Sequence, residues 1–167
     1  MKILDNLSLA TLDGFEGGLP ICDLLENVSQ IPDIRGVYVV GTRDRSHLNP
    51  KDVSTAHKYK GRNPSVNRRD LQKLLDDSSS EILYIGKAGG APYKTTLRKR
   101  IGDYLAFGVG KSRPHWGGRY IWQLEEASQL LVFWRKEPVQ EPRTVEKQLI
   151  QSHKDKFGCR PFANLTG

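Results

Sequence analysis

Two tyrosines stand in β-branched runs of this chain, Tyr38 within Arg35-Gly36-Val37-Tyr38-Val39-Val40 and Tyr84 within Glu81-Ile82-Leu83-Tyr84-Ile85-Gly86-Lys87. On strands of period two, Tyr38 points away from Val37 and Val39, and Tyr84 away from Leu83 and Ile85. Pairing of the two strands would therefore place both phenols on one face. Arg100 and Tyr104 are four residues apart in a helical pattern, so they share a side and can present a cation and a hydroxyl to one phosphate. Glu146 precedes Leu149, Ile150 and His153 at i+3, i+4 and i+7, which sets a carboxylate on an otherwise largely apolar stripe. A buried or edge carboxylate needs a partner, and a divalent metal would provide one.

The elements that must position these groups are legible as a series. The run from Arg35 to Val40 is a strand ending at Gly41. From Thr42 to Ser80 the chain is polar and basic, with turns at Asn49-Pro50, Gly61 and Asn63-Pro64. Leu71, Leu74 and Leu75 have helical spacing, so residues 42–80 read as an insertion with one short helix. Glu81 to Lys87 is a second strand, stopped by Gly89-Gly90 and Pro92. Thr95 or Thr96 then caps a helix with Leu97, Ile101 and Leu105 on one face, which Gly108 ends. Leu130 to Trp134 is a third strand. Pro142 opens a last helix whose end is marked by Lys154, Lys156 and Gly158. Residues 1–34 form an N-terminal extension with a short helix between Ile21 and Val28 and no assigned chemistry. The order predicts one α+β domain over residues 1–167, with a small, mainly antiparallel three-stranded sheet flanked by helices.

Composition narrows the partners. A chain of 167 residues suits one core, and a formal net charge of +7 with a pI near 9.5 attracts polyanions over long range. Charge alone does not decide for nucleic acid, because many small basic proteins bind nothing acidic. No apolar run is long enough to cross a bilayer, so no membrane partner is expected. The opening MKILDNLSLATLDGFEGG carries early acids and lacks a continuous apolar core, so it does not read as a secretory signal, and the cytoplasm is the default location. Cys22 and Cys159 are too far apart in sequence for a zinc knuckle or a redox CxxC pair, and read as reduced thiols.

Gly36-Val37-Tyr38, Tyr84-Ile85-Gly86-Lys87, Arg100 with Tyr104, Glu146 and Asn164 together resemble the GIY-YIG nuclease superfamily. The resemblance covers roughly residues 34 to 165, and its parts match in order, in element type and at the spacing of Leu97-Arg98-Lys99-Arg100-Ile101-Gly102-Asp103-Tyr104. Any one tripeptide is weak evidence, and each residue taken singly has an ordinary structural role; the ordered set carries the weight. Two features depart from the compact pattern. The middle residue of the first motif is Val37, a variant the family commonly uses. The two tyrosine strands are separated by some forty residues holding Lys58, Lys60, Arg62, Arg68 and Arg69, which reads either as a DNA-contacting arm or as a surface elaboration.

The resemblance implies an endonuclease that hydrolyses phosphodiester bonds in DNA, branched or damaged DNA included, one strand per active site. A two-strand cut then requires a homodimer or one site used twice. It further implies that Glu146 holds one Mg or Mn ion, that Arg100 clamps phosphate oxygens through its planar fork, and that one phenol positions or deprotonates the attacking water. A free phenol of pKa about 10 is only ~0.1% ionised at neutral pH, so Lys87, Arg100 or the metal must depress it. Tyr38 is the favoured base and Tyr84 the alternative, with Tyr104 and Asn164 supporting the hydrogen-bond network. Lys94, Arg98, Lys99, Lys111, Arg113, His115 and Arg119 are the candidate nucleic-acid contacts. The segment from Lys111 to Trp122 interleaves cations with aromatics, so it is either a base-stacking loop or a core loop with buried tryptophans. His115 is also a candidate for proton transfer. A catalytically idle nucleic-acid-binding module and a protein-interaction domain are the competing classes.

Overall fold

In the computed structural model, which describes residues 8, 9 and 12–165, strands and helices alternate along the chain: β1 (Glu16–Pro20), α1 (Ile21–Glu26), β2 (Gly36–Gly41), α2 (Arg68–Asp76), β3 (Ile82–Ala88), α3 (Leu97–Gly108), β4 (Leu131–Lys136) and α4 (Pro142–Phe157). The strands form one sheet in the order β1-β4-β2-β3, antiparallel at each pairing. The α+β class holds, but the sheet has four strands rather than three. The extra strand, β1, escapes sequence reading because its Gly17-Gly18 and Pro20 are residues that strands disfavour. It tolerates them as an edge strand that must pass close to aromatic rings. A Cβ on Gly17 would lie 2.7 Å from the Trp134 ring, and one on Gly18 2.9 Å from Phe133.

Alternation along β2 divides the core between the two faces of the sheet. Tyr38 and Val40 pack with Tyr84, Trp134 and the apolar residues of α1, α2 and α3. Val37 and Val39 face the other way, against Ile85, Phe133 and the Val145, Leu149 and Ile150 stripe of α4. Helix α3 starts where Thr96 Oγ1 accepts the Lys99 N–H (3.3 Å), and Gly158 in the left-handed region (φ 76°) closes α4.

One side chain anchors the turn that leads into α4. Arg35 donates through Nε to the Glu137 carbonyl (2.9 Å), through Nη2 to the Pro138 carbonyl (3.2 Å), and through Nη1 to the Glu141 carboxylate (2.9 Å). The turn ahead of α4 is thereby tied to the start of β2. The insertion is tied down as well. Buried Gln123 accepts from the Val66 N–H (2.9 Å) and donates to the carbonyls of Lys51 (2.8 Å) and Val66 (2.7 Å), so residues 42–80 pack as a wall of the domain. Among the described residues, no helix is long and apolar enough to cross a membrane.

Candidate active site

The antiparallel register of β2 and β3 sets Tyr38 opposite Gly86 and Tyr84 opposite Val40. The two tyrosines are thus diagonal neighbours on one face, with ring centroids 5.9 Å apart in an edge-to-face arrangement. Gly86 is the reason they fit. A Cβ at that position would lie 2.4 Å from Tyr38 Cζ and 2.6 Å from its hydroxyl, so the phenol of Tyr38 occupies the space a side chain would fill. Tyr104, from α3, completes the cluster at 5.5 Å from Tyr84 and 6.3 Å from Tyr38. Its hydroxyl donates to the Gly118 carbonyl (2.9 Å). Gly118 has φ +75°, and a Cβ there would meet the Tyr84 ring at 2.8 Å, so the loop closes over the phenols only with glycine at that place.

A cleft of about 240 Å³ opens onto the two phenols and is also lined by Lys87, Tyr93, Arg100 and Glu146. Glu146 belongs to the helix on the opposite face and reaches the cleft alongside edge strand β3. Five of the seven residues expected to be catalytic from sequence therefore converge here: Tyr38, Tyr84, Lys87, Arg100 and Glu146. Tyr104 stands behind them, fully buried. Asn164 does not reach the cleft. Its Oδ1 accepts the Ile85 N–H and its Nδ2 donates to the Ile85 carbonyl (2.9 Å each), so it continues the ladder at the outer edge of β3.

Burial dominates the electrostatics. It pushes the phenols of Tyr38 and Tyr104 well above their ordinary value and Tyr84 up to about 12. The nearby Tyr38 hydroxyl and the charge of Arg100 both favour the Tyr84 anion, whereas Tyr38 is raised further by the proximity of Tyr84. Tyr84 is the easier of the two to ionise. Burial also raises the Glu146 carboxyl, against the pull of Lys87, Arg100, Arg143 and Lys147.

Among the described residues there is no group of three or more His, Cys, Asp and Glu that could hold a metal ion. Among the described residues that line the cleft Glu146 is the sole carboxylate, with phenol oxygens beside it. Such a donor set fits a hard cation that keeps most of its water and takes further oxygens from a phosphate, as Mg does.

The predicted nucleic-acid contacts fall into three groups. Lys94 and Lys111 are exposed, and Lys99 and Arg113 are exposed but face Asp103 at 2.5 and 3.7 Å. Arg98 serves the fold instead, donating to the carbonyls of Ile31 (2.8 Å) and Ser29 (3.2 Å). Arg119 is half-buried, its guanidinium 4.4 Å from the Trp116 ring centre and 5.1 Å from that of Tyr120, with Nε and Nη1 covered and without hydrogen-bond partners. Within the segment from Lys111 to Trp122, residues 111–114 are exposed and the remainder is buried or half-buried: Trp122 is buried against Tyr104, and Trp116 is covered on one side by Arg62 of the insertion.

His115 is not a surface contact either. It is buried, stacks 4.5 Å from Tyr104, and holds Nε2 3.2 Å from the Tyr38 hydroxyl. Burial, helped by the charge of Arg100 and opposed only by the Gly117 backbone, lowers its pKa to about 3. Below an unfolded value near 6.5 the unfolded chain binds a proton that the native ring refuses, so native stability falls as pH drops from about 6.5 toward 3. Between pH 7 and pH 5 this amounts to a loss on the order of 2 kcal/mol from His115. Buried His153, also lowered by burial, acts in the same direction. Urea unfolding of the wild type and of His115→Gln at both pH values is expected to show a shallower pH slope in the variant; equal slopes would mean that His115 titrates normally.

Two contributors have no signal in the sequence pattern. Arg35 acts on partners a hundred residues away, and Tyr93 lies in a loop that periodicity leaves blank, although the Gly89-Gly90 and Pro92 punctuation marks its place; Thr95, one of the two candidate caps, lines the cleft while Thr96 caps α3. Comparison of the chain with family models, with curated proteins and with solved structures finds no match.

Proposed function

We propose that this protein is a metal-dependent endonuclease of the GIY-YIG type, hydrolysing a phosphodiester bond in DNA at one strand per active site. The observation that carries the reading is the convergence, from two strands and two helices on opposite faces of the sheet, of Tyr38, Tyr84, Lys87, Arg100 and Glu146 on one cleft. Phosphodiester hydrolysis needs a deprotonated water, charge on the phosphate oxygens, and relief of the charge developing on the leaving oxygen. Arg100 supplies the planar, permanently charged fork for the phosphate. Glu146 is the residue that would hold Mg or Mn, and the ion, when bound, supplies positive charge to the phosphate and the departing oxygen.

Tyr84 takes the proton of the attacking water in this reading, with Tyr38 donating to it. His115 supports Tyr38. Its Nε2 and the Tyr38 hydroxyl share a hydrogen bond of 3.2 Å whose donor is set by the imidazole tautomer. A phenol at about 12 is ionised in only about one molecule in 10⁵ at neutral pH, so it must lose its proton as charge assembles in the cleft. Lys87 and Arg100 are the charges at hand.

The test is incubation of the purified protein with supercoiled plasmid, Y-shaped duplex and single-stranded DNA in Mg or Mn and in chelator. Nicking that requires the metal is expected. Salt-sensitive retardation of duplex in a gel with every substrate left intact would instead favour the idle binding module on the same fold, since phosphate contacts release counterions.

A further inference from the structure

The cleft does not end at Glu146. A second hollow of about 490 Å³ adjoins it and shares Lys87, Gly89, Tyr93 and Glu146 as a common wall; on its far side stand Pro92, Arg143 and Lys147. Its charged lining is three cations against one carboxylate, the balance expected where a phosphate backbone runs. Tyr93 is 67% exposed and sits where the two hollows meet. Lys87 Nζ lies 5.7 Å from the centre of its ring, which leaves ring surface free for another planar group. The loop fixes the backbone that carries the ring: the Tyr93 N–H donates to the Gly90 carbonyl (2.7 Å), closing a bridge between the two residues.

We infer that the second hollow receives the nucleotide next to the scissile phosphate with its base unpaired, the base stacking on Tyr93 and its phosphate meeting Arg143 and Lys147. This assignment rests on the nuclease reading and adds a substrate class to it: DNA carrying an unpaired nucleotide beside the point of cleavage. A base inside a duplex has both faces covered by its neighbours, so stacking on a protein ring requires it to leave the helix. That step is cheapest for a base already without a partner. The hollow has the volume of a small-ligand pocket rather than of a duplex groove reader, and stacking on one aromatic ring is indifferent to base identity. Lys87 then joins the two sites, its ammonium lining the reaction cleft while its stem and charge back the stacking ring.

The experiment is a fluorescence titration of the wild-type chain, in chelator so that nothing is cut, with duplexes carrying 2-aminopurine either as a single-nucleotide bulge or fully paired. Wild-type protein is expected to quench the bulged probe and to bind it more tightly than the paired one. Tyr93→Ala should weaken bulge binding by about tenfold or more and abolish the quenching, Tyr93→Phe should retain both, and binding of the paired probe should change little in either. Equal affinity of Tyr93→Ala and wild type for the bulged probe, or no binding of that probe by the wild type, overturns the inference. Cleavage plays no part in this readout: Tyr93-dependent binding beside a failure to cut the bulged duplex, Y-shaped DNA and plasmid alike in Mg or Mn would sink the nuclease reading alone, and cleavage without Tyr93-dependent binding would sink only the stacking site.

Discussion

Gly86→Ala is expected to cut plasmid nicking at least a hundredfold and to destabilise the fold by about 1–3 kcal/mol, the usual range for overpacking. The added methyl would stand 2.4 Å from Tyr38 Cζ, between strands whose register is fixed on both sides, with Gly86 opposite Tyr38 and Tyr38 opposite Trp134. Neither strand can yield without breaking that register, so the phenol must turn away, which removes the partner of Tyr84 and of His115. A second substitution separates the causes. Tyr38→Ala in the Gly86→Ala background should recover part of the lost stability, because the methyl then enters vacated space, while nicking stays absent. Thermal unfolding and nicking rates of the two single variants and the double variant check this; wild-type stability and rate in Gly86→Ala would contradict it.

Glu146→Gln is expected to be the opposite kind of variant, inactive but no less stable. Burial raises the Glu146 carboxyl above its ordinary value of 4.5 in the folded protein, so the native state holds the proton more tightly than the unfolded chain. The stability contributed by this group is present at low pH and is lost as pH rises through that range, and at pH 7 the charge is a net cost to folding. A neutral amide of the same shape removes the cost. It also removes the Glu146 carboxylate from the cleft and with it the proposed metal ligand, which should lower nicking by a hundredfold or more. A thermal midpoint at or above that of the wild type, together with lost nicking in both Mg and Mn, is the expected pair of results. A lowered midpoint would mean that Glu146 is a structural ion-pair partner of Lys87, Arg100, Arg143 or Lys147.

The elements that carry the cleft were readable because each has a strong period. Val37, Tyr38, Val39 and Val40 alternate between two packed faces, and Leu97, Ile101 and Leu105 repeat down one side of α3, with all but the phenols apolar. The helix boundaries at Thr96, Pro142 and Gly158 follow from capping chemistry that is local. What stayed hidden depends on neighbours distant in sequence. β1 is held by Trp134 and Phe133 against its own glycines; Arg98 looks like a member of a basic helix face and is drawn to the carbonyls of residues 29 and 31. His115 looks like a loop residue among cations and is instead enclosed by Tyr104, Phe107 and Tyr38. Asn164 belongs to the site by resemblance, and its amide pairs with the backbone of Ile85 on the strand bearing Tyr84.

The most direct measurement is the rate of supercoiled plasmid nicking in Mg and in Mn by wild type, Arg100→Ala, Glu146→Gln and the double variant, each verified as folded by circular dichroism. If the guanidinium and the carboxylate act on one phosphate, each single change costs at least a hundredfold and the double variant falls little further, since groups that work as a unit are not additive. Full-rate nicking by both single variants would contradict the account.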